Sequence, residues 1–314
     1  MRQSMTPLAR PMSGQPSGEL SSGQCVAIMQ GRLLPPQEGR FQSFPRVGWE
    51  KEFASAKEAG LDSIEWIFDQ YGEDINPLAT DVGVEQMLAL SRETGVTVRS
   101  LCADYFMDLP LVSATEAEFR TRTEKLRWVL ERCQRAGITR MVLPLVDHAA
   151  IRDDSDVKRI VGLLHSVTPW LRELDVELHL ETALGPSAFR EFLDLVPGST
   201  ASSRAHDRAQ HRPMILVNYD SGNSTSLGFH PDDEFRAYGD RIGSVHIKDR
   251  VRGGGTVPLG TGDTDFVALF RNLKDVAYHG DFVLQVARGA ELDEVPWTRK
   301  NLSFLSAYWK RDAS

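Results

Sequence analysis

The sequence predicts a (β/α)8 TIM barrel folded as a single domain. Three observations carry that prediction. Short apolar stretches alternate with amphipathic ones eight times between Val26 and Tyr308, the signature of βα units around a parallel sheet. The later apolar stretches end in residues of ligand type, as the mouth of a catalytic barrel requires. The length, 314 residues, suits one such barrel. A doubly wound sheet would alternate in the same way, but the glycine fingerprint expected after its first strand is missing.

Val26 to Met29 is the first expected strand. The polar loop Gln30-Gly-Arg-Leu-Leu-Pro-Pro36 follows, then a helix from about Gly48 to Ala59 that Gly60 ends. Strand two, Ser63 to Ile67, carries Glu65 in an apolar context, and its helix runs from about Val84 to Thr94 before Gly95. Strand three spans Val96 to Cys102 and runs into Ala103-Asp104-Tyr105-Phe106. Phe119, Leu126, Val129, Leu130, Cys133 and Ala136 share one helical stripe, closed by Gly137. Strand four is Met141 to Val146, and Val157, Ile160, Val161, Leu164, Val167 and Leu171 mark its helix. Strand five, Val176 to Leu180, reaches Glu181 at its C-terminal end and precedes a short helix around Ser187 to Leu195. Gly198 to Arg212 has no periodicity and reads as a surface loop. Strand six, Met214 to Asn218, leads into Tyr219-Asp220-Ser-Gly-Asn223, and Pro231 to Tyr238 is a brief helix. Strand seven is Ile242 to Lys248, with Asp265 as N-cap of the helix ending at Asp275. Strand eight, Phe282 to Val286, ends in Ala287-Arg288, and Trp297 to Tyr308 is the last helix.

Composition bounds the function. With 41% hydrophobic and 25% charged residues the chain is of ordinary globular type. A net charge of -8 argues against a nucleic-acid surface, which needs clustered cations. No apolar run approaches the roughly 18 residues that span a bilayer, so no membrane partner is expected. Three cysteines, without metal or disulfide spacing, point to a reducing compartment and a cytoplasmic protein. Residues 1–24, rich in Ser, Gly and Pro and without the apolar core of a secretory signal, read as a flexible N-terminal extension. Residues 25–314 then form the catalytic barrel.

Strand seven concentrates the chemistry. Alternation puts Ser244, His246 and Lys248 on one face and Val245 and Ile247 on the other. A core histidine beside a surface lysine would be the structural explanation, but Glu181, Asp220 and Gln285 also stand at strand ends. Two carboxylates, one imidazole and one amide oxygen form a mainly oxygen-donor set. It suits one divalent metal ion, Mn²⁺ first, with Mg²⁺, Co²⁺ or Zn²⁺ also compatible. An ion would balance two buried carboxylates that are otherwise costly.

In these pieces the sequence resembles the sugar phosphate isomerase/epimerase superfamily, the xylose isomerase-like TIM barrels. The matching stretches are Met29-Gln-Gly-Arg32, Leu180-Glu181-Thr, Asn218-Tyr-Asp220-Ser-Gly-Asn223, Val245-His246-Ile-Lys-Asp249 and Leu284-Gln285, spread from Val26 to Trp309. The resemblance implies a Glu, Asp, His, Glu quartet on one metal, in which the two Glu residues exchange the proton beside a carbonyl. Glu181, Asp220 and His246 match the first three, and Gln285 stands in place of the second Glu. An amide can coordinate through oxygen but has no proton affinity near neutral pH, so the two-base mechanism is lost.

The resemblance therefore implies a metal-dependent isomerase or epimerase acting on a small sugar, keto-sugar or sugar phosphate, with Glu181 moving the proton. Lys248 is expected either to stabilise an enolate oxygen or to pair with a carboxylate. Arg32, Glu65, Asn223, Arg250 and Arg288 are the expected substrate contacts. Arg250, Arg252 and Gly253 to Gly255 lie where barrels often bind phosphate. His179 is expected to turn away from the face of Glu181. The alternatives are a lyase similar to inosose dehydratases, which share the His-x-Lys-Asp run, and a non-catalytic sugar-binding subunit. DNA cleavage would need more histidine ligands than the chain offers at these positions. The expected partner is a small carbohydrate, and homo-oligomerisation is open.

Overall fold

The computed structural model describes residues 18–19, 24–197, 212–289 and 293–310. Eight parallel strands close into one barrel: β1 Val26–Met29, β2 Ser63–Ile67, β3 Thr97–Cys102, β4 Arg140–Leu145, β5 Glu177–Thr182, β6 Ile215–Asp220, β7 Ile242–Ile247 and β8 Asp281–Leu284. β8 pairs back onto β1, so no edge is left open. The outer helices are α1 Lys51–Ala59, α2 Asp81–Thr94, α3 Glu116–Arg135, α4 Asp154–Leu174, α5 Pro186–Asp194, α6 Pro231–Tyr238, α7 Phe266–Asp275 and α8 Glu294–Tyr308. None of the helices among the described residues is long and apolar enough to cross a membrane.

The outward strand residues are the apolar ones, and they pack under the helices. Trp66, fully buried on β2, lies 5.5 Å from the Trp49 ring and 6.1 Å from Phe53 of α1. Burying one such side chain stabilises the fold by about 1.5–3 kcal/mol. The barrel interior is polar, with Glu65, Arg140, His179, Asn218, Ser244 and Asp281 all buried. Most of these groups pair: Arg140 with Asp281, His179 Nδ1 2.7 Å from Ser244 Oγ, and Ser244 donating to Asn218 at 2.7 Å.

α2 and α3 start earlier than the apolar spacing suggests, because polar first turns carry the caps, whereas α1 starts at Lys51, later than the expected Gly48. Thr80 accepts from the Gly83 N–H at 3.0 Å and starts α2 at Asp81, while Thr115 and Glu118 form a capping box for α3. Asp265 caps α7 as expected, accepting from the Ala268 N–H at 2.8 Å.

The register between β6 and β7 shifts so that Val217 faces Ile242 and Asn218 faces Ser244, leaving Gly243 as an extra residue. A Cβ on Gly243 would come 2.6 Å from the His179 ring, so the bulge needs glycine. His179 does not turn away from Glu181, as two residues apart on β5 they share the inner face. Its nitrogens are nonetheless taken, by Ser244 and by Glu177 at 3.2 Å.

Gly18–Glu19 pairs in parallel with Trp309–Lys310. The other residues before Gln24, and 198–211 of the expected surface loop, lie outside the described residues. Three short elements carry no periodic signal: helices Tyr105–Asp108 and Ser221–Leu227, and the hairpin of Asp249–Arg250 with Thr256–Val257.

Candidate active site

Glu181, Asp220 and His246 converge at the C-terminal ends of β5, β6 and β7, and one ligand atom from each lies within 4.8 Å of the others. His246 is fully buried, with Nε2 2.7 Å from Glu65 Oε1 and Nδ1 3.5 Å from Glu181 Oε2. The second carboxylate, Asp220 Oδ2, is 4.0 Å from Nδ1. Glu181 is held by two amides: Asn218 donates to Oε2 at 3.0 Å and Asn223 to Oε1 at 2.6 Å. Asp220 caps the Ser221–Leu227 helix, accepting the Asn223 N–H at 2.8 Å, and so fixes the residue that binds Glu181.

Burial and the negative charge of Asp220 push Glu181 up to about 7, against the opposing pull of His246 and Lys248. Burial alone would lower His246, but Glu65, Glu181 and Asp220 raise it to about 9. Glu65 moves the other way: burial pushes it up, but His246, Ser100 and Arg140 together hold it below the usual carboxylate range.

Lys248 Nζ lies 3.2 Å from Asp220 Oδ2, 3.1 Å from Gln285 Oε1 and 3.3 Å from Asn223 Oδ1. Its stem passes over Gly222, where a Cβ would come 2.6 Å from Lys248 Cγ. Ser221 Oγ reaches the Lys248 N–H at 3.0 Å and the Lys248 carbonyl at 2.7 Å, splicing the short helix onto the end of β7. Gln285 has a defined amide orientation. Its Nε2 donates to Gln42 Oε1 at 3.0 Å, and Gln42 Nε2 donates to Asp104 Oδ2 at 2.8 Å, so Gln285 Oε1 faces Lys248.

The five expected substrate contacts fall into three groups. Asn223 and Arg250 stand beside Glu181 and Lys248, and Arg250 Nη1 donates to Asn223 Oδ1 at 2.8 Å. Glu65 is fully buried behind His246. Arg32 donates to Val286 O at 3.0 Å, to Phe41 O at 2.8 Å and to Gln42 Oε1 at 3.2 Å. Arg288 donates to Phe41 O at 3.2 Å and Leu34 O at 2.8 Å. Both arginines thus tie the loop after β1 to the end of β8. Glu52 of α1 anchors the same loop from below, accepting the Gly31 N–H at 2.7 Å.

Gln42, Asp104, Asn218 and Ser221 were not singled out by the sequence. Asn218 lies in a motif piece, whereas Gln42 sits in an aperiodic loop and carries no signal of its own.

The donor chemistry fits a divalent ion. With Nε2 committed to Glu65, His246 Nδ1 is a buried nitrogen without a hydrogen-bond partner, facing two carboxylates. A divalent ion would take the place of the Nδ1 proton, and the imidazole, with its Nε2–H held by Glu65, would then offer its lone pair where Glu181 and Asp220 offer oxygen; a carboxylate behind a ligating histidine is the usual support.

Curated relatives are sugar epimerases. The L-ribulose-5-phosphate 3-epimerase UlaE of Salmonella heidelberg (strain SL476) is 28% identical over 245 residues, covering 76% of this chain and 82% of that protein. The putative L-ribulose-5-phosphate 3-epimerase SgbU of Escherichia coli (strain K12) is 24% identical over 250 residues, covering 76% and 84%. Among solved structures, the D-allulose 3-epimerase of Methylomonas sp. in complex with D-allulose superposes with a TM-score of 0.68 at 18% identity, covering 93% of this chain and 99% of that one. IOLI protein with a bound zinc atom gives 0.67 at 16% identity, covering 91% and 99%. These two share the fold. The model of the xylose isomerase-like TIM barrel family matches residues 53–308, and the chain belongs to that family.

Proposed function

We propose that the protein is a divalent-metal-dependent isomerase or epimerase that moves the proton beside the carbonyl of a small sugar, keto-sugar or sugar phosphate. The observation that carries this reading is the meeting of Glu181, Asp220 and the unpartnered His246 Nδ1. Glu181, Asp220 and His246 would hold the ion, with Gln285 Oε1 as the fourth donor and Mn²⁺ as the preferred metal of the oxygen-rich set. When bound, the ion polarises the substrate carbonyl and hydroxyl oxygens and acidifies the C–H between them.

The protein groups do the rest. Glu181 accepts the carbon-bound proton, and the pair of electrons left behind forms the enediolate. The Lys248 ammonium stabilises the enediolate oxygen. Asn223 holds Glu181 and Lys248 beside the substrate and Arg250 holds Asn223, while Glu65 holds His246 and Arg32 and Arg288 position the loop over the site. Glu181 returns the proton to the neighbouring carbon while a hydroxyl proton moves to the former carbonyl oxygen, which exchanges carbonyl and hydroxyl positions and completes the isomerisation. The catalytic unit is residues 25–314, and its three cysteines, without metal or disulfide spacing, fit a reducing cytoplasm.

Gln285 favours a second reading. Elimination needs one base and one acid, and Glu181 with Lys248 supply both where the family's second Glu is replaced by an amide. The experiment is to incubate L-ribulose 5-phosphate and D-allulose with the protein and Mn²⁺ in D₂O and follow the α-proton and products by NMR. Exchange with an epimer or aldose supports the first reading, and a dehydrated product the second. Absence of exchange with either sugar would indicate a non-catalytic sugar-binding subunit.

A further inference from the structure

Gln285, after β8, is joined to Asp104, after β3, by hydrogen bonds that all run one way. The Lys248 ammonium donates to Gln285 Oε1 at 3.1 Å, Gln285 Nε2 donates to Gln42 Oε1 at 3.0 Å, and Gln42 Nε2 donates to Asp104 Oδ2 at 2.8 Å. The chain starts on an ammonium, which can only donate, and ends on a carboxylate, which when ionised can only accept. The two amides between them are therefore aligned, and each bond polarises the next.

The middle link is held in place by its backbone. Beside Gln42, the Phe41 carbonyl accepts from Arg32 at 2.8 Å and from Arg288 at 3.2 Å, and the Phe44 N–H donates to Asp69 Oδ2 at 2.8 Å. Arg32 also donates to Gln42 Oε1 at 3.2 Å, in the same sense as Gln285. At the far end, Asp104 Oδ1 accepts from the Cys102 thiol at 3.0 Å. Asp104 stands just before the Tyr105–Asp108 helix, yet its side chain makes no capping bond there, so its carboxylate serves Gln42 and Cys102 rather than the helix start.

We propose that Asp104 is a positioning residue: through Gln42 it holds the Gln285 amide with its oxygen toward Lys248 and its nitrogen turned away. An amide oxygen and nitrogen take up nearly the same space, so hydrogen-bond partners decide which of them faces the site. A Gln285 amide turned by half a circle would aim its N–H groups at the Lys248 ammonium and repel a cation. The proposal rests on the reading of Gln285 as the fourth donor for its effect on the ion, though not for the chain of hydrogen bonds itself.

The test is a double-mutant cycle in urea unfolding on Asp104→Ala, Gln285→Ala and the pair together, repeated in a Gln42→Ala background. Mn²⁺ affinity is read alongside by competition with a chelator. Asp104 and Gln285 bind opposite ends of the Gln42 amide, so their effects on the unfolding constant are expected to be non-additive by roughly threefold or more and to become additive once Gln42 is removed. Asp104→Ala is expected to weaken Mn²⁺ binding by roughly tenfold, and Asp104→Asn, which keeps an acceptor for Gln42, to retain most of it. Additive effects in the wild-type background, coupling that survives Gln42→Ala, full Mn²⁺ affinity in Asp104→Ala, or an Asp104→Asn as weak as Asp104→Ala would each overturn the proposal. If Asp104→Ala does not fold, Asp104→Ser, too short to reach Gln42, takes its place in both measurements. A wild type that binds no Mn²⁺ removes the metal reading, while the unfolding cycle still decides the role of Asp104.

Discussion

Glu65 Oε1 holds His246 by Nε2 at 2.7 Å, and this leaves His246 Nδ1 buried, without a hydrogen bond, in front of Glu181 and Asp220. One contact therefore sets both the tautomer and the direction of the imidazole. Glu65→Leu removes the acceptor while leaving the first three metal-binding side chains in place. The expected outcome is a metal affinity lower by roughly 10–100-fold, measured by competition with a chelator, with partial recovery in Glu65→Gln. Unchanged affinity in Glu65→Leu would remove Glu65 from the site.

Gln285 and Gln42 are matched as donor and acceptor. Glu at 285 would place a carboxylate against Gln42 Oε1, whose other neighbour is the Arg32 guanidinium. Gln285→Glu is expected to cost about 1–3 kcal/mol in urea unfolding and not to raise turnover of the native substrate. The double variant Gln285→Glu, Gln42→Ala should recover part of that stability. A large gain in native turnover from Gln285→Glu alone would show that a second base is missing rather than replaced.

Gly222 lets the Lys248 stem approach the short helix. Gly222→Ala puts a methyl 2.6 Å from Lys248 Cγ and must displace the ammonium from Asp220 and Gln285. Turnover is expected to fall by up to about 100-fold with metal content retained, as misplacement of one reacting group can do. Full activity in Gly222→Ala would mean that the position of Lys248 does not matter.

Glu52 gives a pH signature separate from the site. It is fully buried in α1, and burial raises its pKa from the ordinary 4.5 to about 7 despite the N–H groups of Gly31 and Leu33. The folded state then binds more protons than the unfolded state between those values, so stability falls as pH rises from about 4.5 through 7. Glu52→Gln removes that contribution, which is on the order of 3 kcal/mol. Urea unfolding across this range should show a shallower pH dependence in the variant, and identical slopes would contradict the assignment.

What the sequence shows follows from what is periodic. Ser244, His246 and Lys248 were legible on one face because β7 alternates strictly, and the eight strands were legible because their outward residues are apolar. Gly243 could be read as a residue but not as a bulge, since its need arises from the His179 ring of another strand. Arg32 and Arg288 were visible as cations. Whether their donors face a substrate or the carbonyls of Leu34, Phe41 and Val286 depends on the path of the loop after β1, which has no pattern to reveal it. Gln42 was hidden for the same reason, and the loop whose Gly260 and Gly262 N–H groups donate to Asp249 Oδ2 closes only in three dimensions.

The central claim is that Glu181, Asp220 and His246 form one metal site whose base is Glu181. The most direct measurement is the metal content of purified wild type, Asp220→Ala and His246→Ala by elemental analysis after equilibration with Mn²⁺ and removal of excess. The account predicts about one ion per wild-type chain and loss of it in both variants whose circular dichroism is unchanged. Full retention of the ion in both variants would contradict it.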